Sequence, residues 1–81
     1  MASEITGQIG FNVKKFRQLQ GLTQEKLAEL SGLHPNYISA IERQKRNISV
    51  TSLMKIAKAL NIQPLDLIDE EHFGTSENIN I

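Results

Sequence analysis

The chain contains 81 residues and no cysteine, and its nine Lys and Arg residues balance nine Asp and Glu residues. This length supports one small domain, and the lack of cysteine excludes disulfide bonds and thiolate metal sites. No apolar run approaches the length that crosses a bilayer, and no secretory signal pattern is present. We therefore expect a cytoplasmic protein that does not associate with membranes.

The charges are divided unevenly along the chain. Residues 1–65 hold all nine basic residues and four acidic ones, a net charge of +5, whereas residues 66–81 hold five acidic residues and no basic one. A basic segment of this kind suits a polyanionic partner such as nucleic acid. Because small domains often have a few excess charges without such a partner, the charge alone leaves both interpretations open.

Apolar spacing predicts five helices and no strand. Residues 1–6 lack strong periodicity, so we expect a flexible N-terminus there. The first helix is predicted over about residues 7–20, and Gly21 ends it. Its apolar stripe contains Ile9, Val13, Phe16 and Leu19.

Residues 24–43 contain the most informative pattern of the chain. Ala28 is small enough for a second helix to cross over it, Gly32 tolerates the positive φ of a tight turn, and Ile38 returns to the crossing. This combination of residue size and spacing is typical of a helix-turn-helix, whose second helix lies in the major groove of DNA. The pattern therefore predicts a DNA-binding motif.

Capping residues predict the limits of these two helices. Thr23 is placed to cap the second helix, which we expect to reach about Ser31. His34 occupies the cap position of the third helix, and Pro35 the first helical position, where its missing N–H costs nothing. The third helix should end at about Glu42 or Arg43.

A polar, basic loop over residues 43–48 follows, and the chain then returns to helix. Ser49 is placed to cap a fourth helix, which Asn61 ends. Pro64 opens a short fifth helix. Residues 69–81 are polar and acidic, and we expect them to form a mobile tail.

With these elements in place, residues 7–68 resemble the five-helix DNA-binding domain of the Cro/phage-repressor (XRE) family. The segment YISAIERQKRNISVTSLMKIAKAL is similar to the controller proteins of restriction–modification systems. The resemblance implies a compact, all-α, lambda-repressor-like fold that binds DNA and forms a dimer. It further implies a bacterial or phage-encoded, nucleoid-associated transcriptional regulator, which reads inverted-repeat (palindromic) operators in double-stranded DNA and activates or represses by occupancy.

The sequence also leaves other functions open. Stand-alone phage repressors and antitoxin-like autoregulators share much of the same segment. A helical module that binds proteins is disfavoured because it would have no reason to keep Gln24 and the basic residues between Arg43 and Arg46. An enzyme is disfavoured because His34 and His72 lie far apart without a cysteine, metal-binding spacing or phosphate loop, so we expect no catalytic residue, metal or cofactor.

The exposed face of the third helix is predicted to read bases. The amide of Asn36 can pair with adenine through both of its groups. Pro35 departs from the polar reader common in the family, and it offers only apolar contact, as Ala40 does. Tyr37 either contacts DNA or packs its ring onto the domain. The predicted DNA-binding residues are Gln24, His34, Pro35, Asn36, Tyr37, Ala40, Arg43, Lys45, Arg46, Asn47 and Ser52.

Backbone contacts are predicted on either side of that helix. The family's glutamine at the position of Gln24 binds a phosphate and places the N-terminus of the second helix. Arg43, Lys45 and Arg46 suit flanking phosphates or a guanine edge. Asn47 and Ser52 are weaker candidates for phosphate contact.

The resemblance assigns Arg17 and Glu42 to structure, as a partly buried ion pair that fixes the third helix against the first. A dimer interface is predicted on the last two helices, at Ile62, Leu65, Leu67 and Ile68. The alternative is that these apolar residues close the core of a single protomer. Glu25 and Glu29 resemble an acidic patch that some family members present to RNA polymerase, although exposed helical glutamates are common without such a role.

Overall fold

The computed structural model describes residues 4–69, and these form helices joined by short turns. Residues 1–3, and residues 70–81 of the predicted acidic tail, lie outside the described range. No strand occurs within residues 4–69, as the apolar spacing predicts. The elements are α1 (Glu4–Leu19), α2 (Gln24–Ser31), α3 (Pro35–Glu42), α4 (Val50–Leu60) and a 3-10 helix (Pro64–Leu67).

The starts of three helices follow the predicted capping. Thr23 Oγ1 accepts a hydrogen bond from the Lys26 amide at 3.0 Å, and Ser49 Oγ accepts one from the Ser52 amide at 3.1 Å. His34 Nδ1 accepts one from the Asn36 amide at 3.0 Å. Each bond satisfies an amide that has no partner inside its helix, so the caps of α2, α3 and α4 are confirmed.

A residue in the left-handed conformation follows each of the four α-helices. The φ angles are 71° at Gly21, 76° at Gly32, 62° at Gln44 and 59° at Asn61. At each end, the next amide bonds a carbonyl five residues back, for example Leu33 to Ala28 at 3.1 Å. This is the Schellman arrangement, which turns the chain sharply after the helix. It places α3 directly after α2, as the helix-turn-helix requires.

The core lies where α1 and α2 pack against α3, while α4 packs against α2 and the 3-10 helix. Ala28 is 3% exposed and Ile38 is fully buried, so the predicted crossing of α2 and α3 is present. Burial of this apolar set removes enough surface from water to hold short helices that are not stable alone. The fully buried large side chains are Val13, Leu27, Ile38, Ile41, Ile56, Leu60 and Leu67, together with Asn12.

Two predicted elements differ from the structure. α1 begins at Glu4, inside the segment predicted to be flexible, because helix needs no strong apolar periodicity in its first turn. The predicted fifth α-helix is a 3-10 helix of four residues. Asn12 Nδ2 donates to the Leu67 carbonyl at 2.9 Å, so an α1 side chain takes the acceptor that a longer helix would use.

Two apolar predictions also need correction. Leu19, assigned to the buried stripe of α1, is 71% exposed, and it is the last residue of that helix. Leu67, assigned to a dimer interface, is fully buried within the protomer, whereas Leu65 is 72% exposed. In a 3-10 helix residues two apart lie about 120° from each other, so these two leucines face different surroundings.

Candidate nucleic-acid interface

A buried ion pair holds α3 against α1. Arg17 Nε donates to Glu42 Oε2 at 2.6 Å, and Arg17 Nη2 donates to Glu42 Oε1 at 3.0 Å. Arg17 Nη1 also donates to the Leu22 carbonyl at 2.6 Å. The side chains are 11% and 3% exposed, respectively, so both charges are largely removed from water. This geometry gives Arg17 a structural position, with its guanidinium turned inward.

Gln24, the first residue of α2, is oriented by the same carboxylate. Its Nε2 donates to Glu42 Oε1 at 3.0 Å, and the side chain is half-buried. An amide nitrogen has two hydrogens, and Glu42 uses one of them. The second can be donated to an anion at the N-terminus of α2, where the helix dipole also favours negative charge.

α3 buries one face and exposes the other. Ile38, Ile41 and Glu42 are buried, while Pro35 and Asn36 are exposed and Ala40 is half-buried. His34 is exposed as well, although its Nδ1 is engaged as the cap of the helix. The first turn of α3 therefore presents Asn36 at the surface, beside apolar Pro35. Such a face combines an amide that can read a base with small groups that allow close approach.

Tyr37 and Arg46 form a stacked pair at the edge of this face. The Tyr37 ring is half-buried and packs against the core, and Arg46 Cζ lies 5.1 Å from the ring centroid. This distance is typical of a cation–π contact, which holds the guanidinium in place. The ring thus packs onto the domain, which was one of the two alternatives predicted for Tyr37. It also orients Arg46, a basic residue of the following loop.

The loop after α3 is basic and exposed. Arg43, Lys45, Arg46 and Asn47 are all exposed. Ser52 is half-buried beyond the loop, and it shares a hydrogen bond with Ser49 at 3.0 Å between their hydroxyls. Residues 43–48 contain three basic residues and no acidic one, so the charge of this loop favours a polyanionic partner.

Large apolar side chains are also exposed on α4 and on the 3-10 helix. Val50 and Leu65 are each 72% exposed, and Met54 is 55% exposed. Met54 lines a shallow groove together with Ile62 and Pro64. Ile68 is half-buried. Of the four predicted interface residues, Leu65 is thus largely accessible and Ile62 and Ile68 partly so.

The single histidine of residues 4–69 has a structural use. His34 caps α3, as described above. The same range contains no group of three His, Asp or Glu side chains that could hold a metal ion. None of the helices in it is both long and apolar enough to cross a membrane.

Three residues near the interface were not predicted from the sequence. Ser39 follows Asn36 by three positions, which places it on the same side of α3, and it is half-buried. Gly10 packs against the end of α3, where a Cβ would lie 2.3 Å from the Ile41 carbonyl oxygen. Gln44 adopts a left-handed conformation just after α3. Only Gly10 has a signal in the sequence. A glycine inside an amphipathic helix lowers the stability of the helix, so its presence there indicates close packing.

Comparisons with known proteins identify the type of domain. The model of a family described as helix-turn-helix (HTH_3) matches residues 13–67. Control protein C.SmaI of Serratia marcescens is 50% identical over 50 residues, which cover 62% of this chain and 60% of that protein. Control protein C.BamHI of Bacillus amyloliquefaciens is 42% identical over 78 residues, which cover 95% of this chain and 96% of that protein.

A solved structure gives the same fold with DNA present. The restriction–modification controller protein C.Esp1396I, crystallised as a tetramer in complex with its natural 35-base-pair operator, has a TM-score of 0.75 to this chain. The two are 40% identical, and the match covers 80% of this chain and 86% of that one.

Proposed function

Because this chain belongs to the helix-turn-helix family, we propose that it is a transcriptional regulator that binds double-stranded DNA sequence-specifically, as a homodimeric controller protein of a restriction–modification system. The observation that supports this most directly is the exposed face of α3 beside an acid-free basic loop. The Arg17–Glu42 ion pair supports it further, since it holds that face rigidly against the scaffold. Preorganisation of this kind reduces the entropy lost on binding.

We propose that α3 lies in the major groove. Asn36 then reads adenine through its amide, and Pro35 and Ala40 contact thymine methyl groups. Ser39 lies on the same side of the helix and can donate to a base edge or a phosphate. Tyr37 acts through Arg46, because its ring holds the guanidinium near the backbone of the DNA. The contacts of Asn36, Pro35 and Ala40 with base edges supply the sequence preference.

Phosphate contacts supply most of the affinity in this proposal. Gln24 binds a phosphate with the amide hydrogen that Glu42 leaves available. Arg43, Lys45 and Arg46 bind phosphates beyond the end of α3, with Asn47 and Ser52 as further contacts. Each neutralised phosphate releases counterions, so affinity should fall steeply as salt rises.

Homodimerisation is proposed through the apolar surface of α4 and the 3-10 helix. Leu65, Ile62 and Ile68 form its predicted part, and the exposed Met54 and Val50 extend it. Exposed apolar side chains grouped on one face are typical of an interface. A two-fold dimer would present two α3 helices about 34 Å apart, and it would therefore read an inverted repeat.

The regulatory scheme follows from the relatives. Because C.Esp1396I is a tetramer on its operator, we propose that two dimers of this chain occupy tandem inverted repeats. The first dimer activates transcription, and occupancy of the second site represses it. Glu25 and Glu29 are exposed on α2 and are proposed to contact RNA polymerase in the activating complex.

The central test removes the basic loop. Binding of the full-length chain to nonspecific duplex would be measured over a salt series for wild type and for the Arg43→Ala, Arg46→Ala double variant. We expect weaker binding and a salt slope less steep by about two units per protomer, or about four for the dimer, since roughly one unit is lost per phosphate contact. The Lys14→Ala, Lys58→Ala variant loses the same charge from α1 and from the last turn of α4, so its slope should stay near that of wild type. A folded Arg43, Arg46 variant with unchanged binding would overturn the DNA-binding proposal and favour a protein-binding module.

Selection of bound sites from random DNA separates the remaining alternatives. Tandem inverted repeats would support the controller role. A single palindrome would instead favour a stand-alone repressor or an antitoxin-like autoregulator.

A further inference from the structure

Gln44 has an unusual backbone conformation for its residue type. Its φ of 62° lies in the left-handed region, which L side chains rarely adopt. The other three α-helices are followed by Gly21, Gly32 and Asn61, all residue types that tolerate this region. Such strain persists only where surrounding structure imposes it, and it is often found at functional sites.

The position of Gln44 sets the direction of the basic loop. Its amide donates to the Ile41 carbonyl at 2.9 Å, and the Lys45 amide donates to the Ala40 carbonyl at 2.9 Å. These two bonds fold the chain back over the last turn of α3. This one turn therefore sets the orientation of Arg43 and Lys45, which flank Gln44, and of Arg46, the next residue along the chain.

The side chain of Gln44 lies over Gly10. A Cβ added at Gly10 would be 3.1 Å from Gln44 Cγ and 2.3 Å from the Ile41 carbonyl oxygen. The backbone of α1 thus lies close to the end of α3, with no side chain between them. The Gln44 methylenes cover Gly10 at this contact. Gln44 also lines the groove between α1 and the end of α3, beside Phe11 and Lys14. The turn consequently lies against α1, with Gln44 itself still exposed to solvent.

We propose that Gln44 is a positioning residue for DNA binding. Its side chain packs over Gly10 and fixes the orientation of the loop from Arg43 to Arg46 relative to α3. The basic groups of the loop are therefore ordered before DNA binds. A glycine at position 44 would satisfy the left-handed φ better, but it would have no side chain to fasten the turn. The inference rests on the proposed function, since it assumes that this loop contacts DNA.

Substitutions at Gln44 can separate fold stability from DNA affinity. In Gln44→Gly, the strain is relieved, so the melting temperature should be equal to or above that of wild type. DNA affinity should nevertheless fall by about three- to tenfold, because loop side chains must then be ordered on binding. Gln44→Met keeps the methylenes that cover Gly10, and its affinity should stay within about twofold of wild type. Both quantities would be measured on the full-length chain with one duplex over a salt series.

The outcomes distinguish this inference from the proposed function. Wild-type affinity in Gln44→Gly overturns the positioning role, as does an affinity loss in Gln44→Met as large as that in Gln44→Gly. A loss of affinity that tracks a lower melting temperature also overturns it, since it shows a purely structural role. The Arg43→Ala, Arg46→Ala variant is measured in parallel. If it binds as wild type does, the loop does not contact DNA, and the proposed function fails together with the inference.

Discussion

Glu42 accepts two hydrogen bonds from Arg17, at 2.6 and 3.0 Å, across twenty-five positions of the sequence. The same carboxylate accepts a third from Gln24. One buried side chain of α3 thus joins the first helix to the start of the second. Since α3 presents the proposed base readers, this carboxylate links the stability of the domain to the placement of its DNA-binding face.

Removal of Glu42 should destabilise the fold before it changes sequence preference. In Glu42→Ala the Arg17 guanidinium stays buried without its counter-ion, which costs about 3–5 kcal/mol. That is a large fraction of the stability of a small domain. The free energy of unfolding would be measured by urea denaturation.

Lys26→Ala provides the matched control for this prediction. Lys26 forms an ion pair with Glu29 at 3.5 Å, but the side chains are 52% and 71% exposed. An exposed pair contributes about 0–1 kcal/mol, so the free energy of unfolding should change little. Equal losses in the two variants would contradict the role assigned to the Arg17–Glu42 pair.

The helix-turn-helix could be predicted from sequence because its demands are local. A small Ala28, a left-handed Gly32 and a capping His34 each have a signal in residue type. The Arg17–Glu42 pair could be predicted only from the family resemblance, because no spacing rule brings together two residues so distant in sequence.

The remaining features depend on tertiary contacts. A glutamine carries no signal for left-handed backbone, so the conformation of Gln44 could not be read from its type. The close approach at Gly10 depends on the Ile41 carbonyl of another helix. Leu65 and Leu67 have the same residue type, and only the 3-10 geometry separates the exposed one from the buried one.

Gly10→Ala should destabilise the protein. In an unobstructed helix interior, alanine is more favourable than glycine by about 1 kcal/mol. At Gly10 the new methyl would lie 2.3 Å from the Ile41 carbonyl oxygen, so α1 and α3 must move apart. The expected cost is about 1–3 kcal/mol, as for other overpacked sites. Thermal denaturation gives the sign directly, and a melting temperature above that of wild type would refute the close packing of α1 on α3.

Asn36→Ala should relax sequence preference without loss of fold. Asn36 is exposed, and its side chain is not the cap of α3, because His34 fills that position. Loss of a bidentate contact to adenine should cost about 1–3 kcal/mol of discrimination at one base pair of each half-site. Selection from random DNA would show degeneracy at that position, whereas an unchanged motif would exclude Asn36 as a base reader.

Leu65 and Leu67 should respond oppositely when the dimer is tested. Leu65 is 72% exposed, so Leu65→Asp should leave the protomer folded but place a charge in the proposed interface. Leu67 is fully buried, so Leu67→Ala should destabilise the protomer by about 2–5 kcal/mol through the cavity it creates. Sedimentation equilibrium and urea denaturation would measure the two effects separately. A Leu65→Asp protein that dimerises as tightly as wild type would exclude this surface as the dimer interface. The exposed apolar side chains of α4 would then require a different explanation.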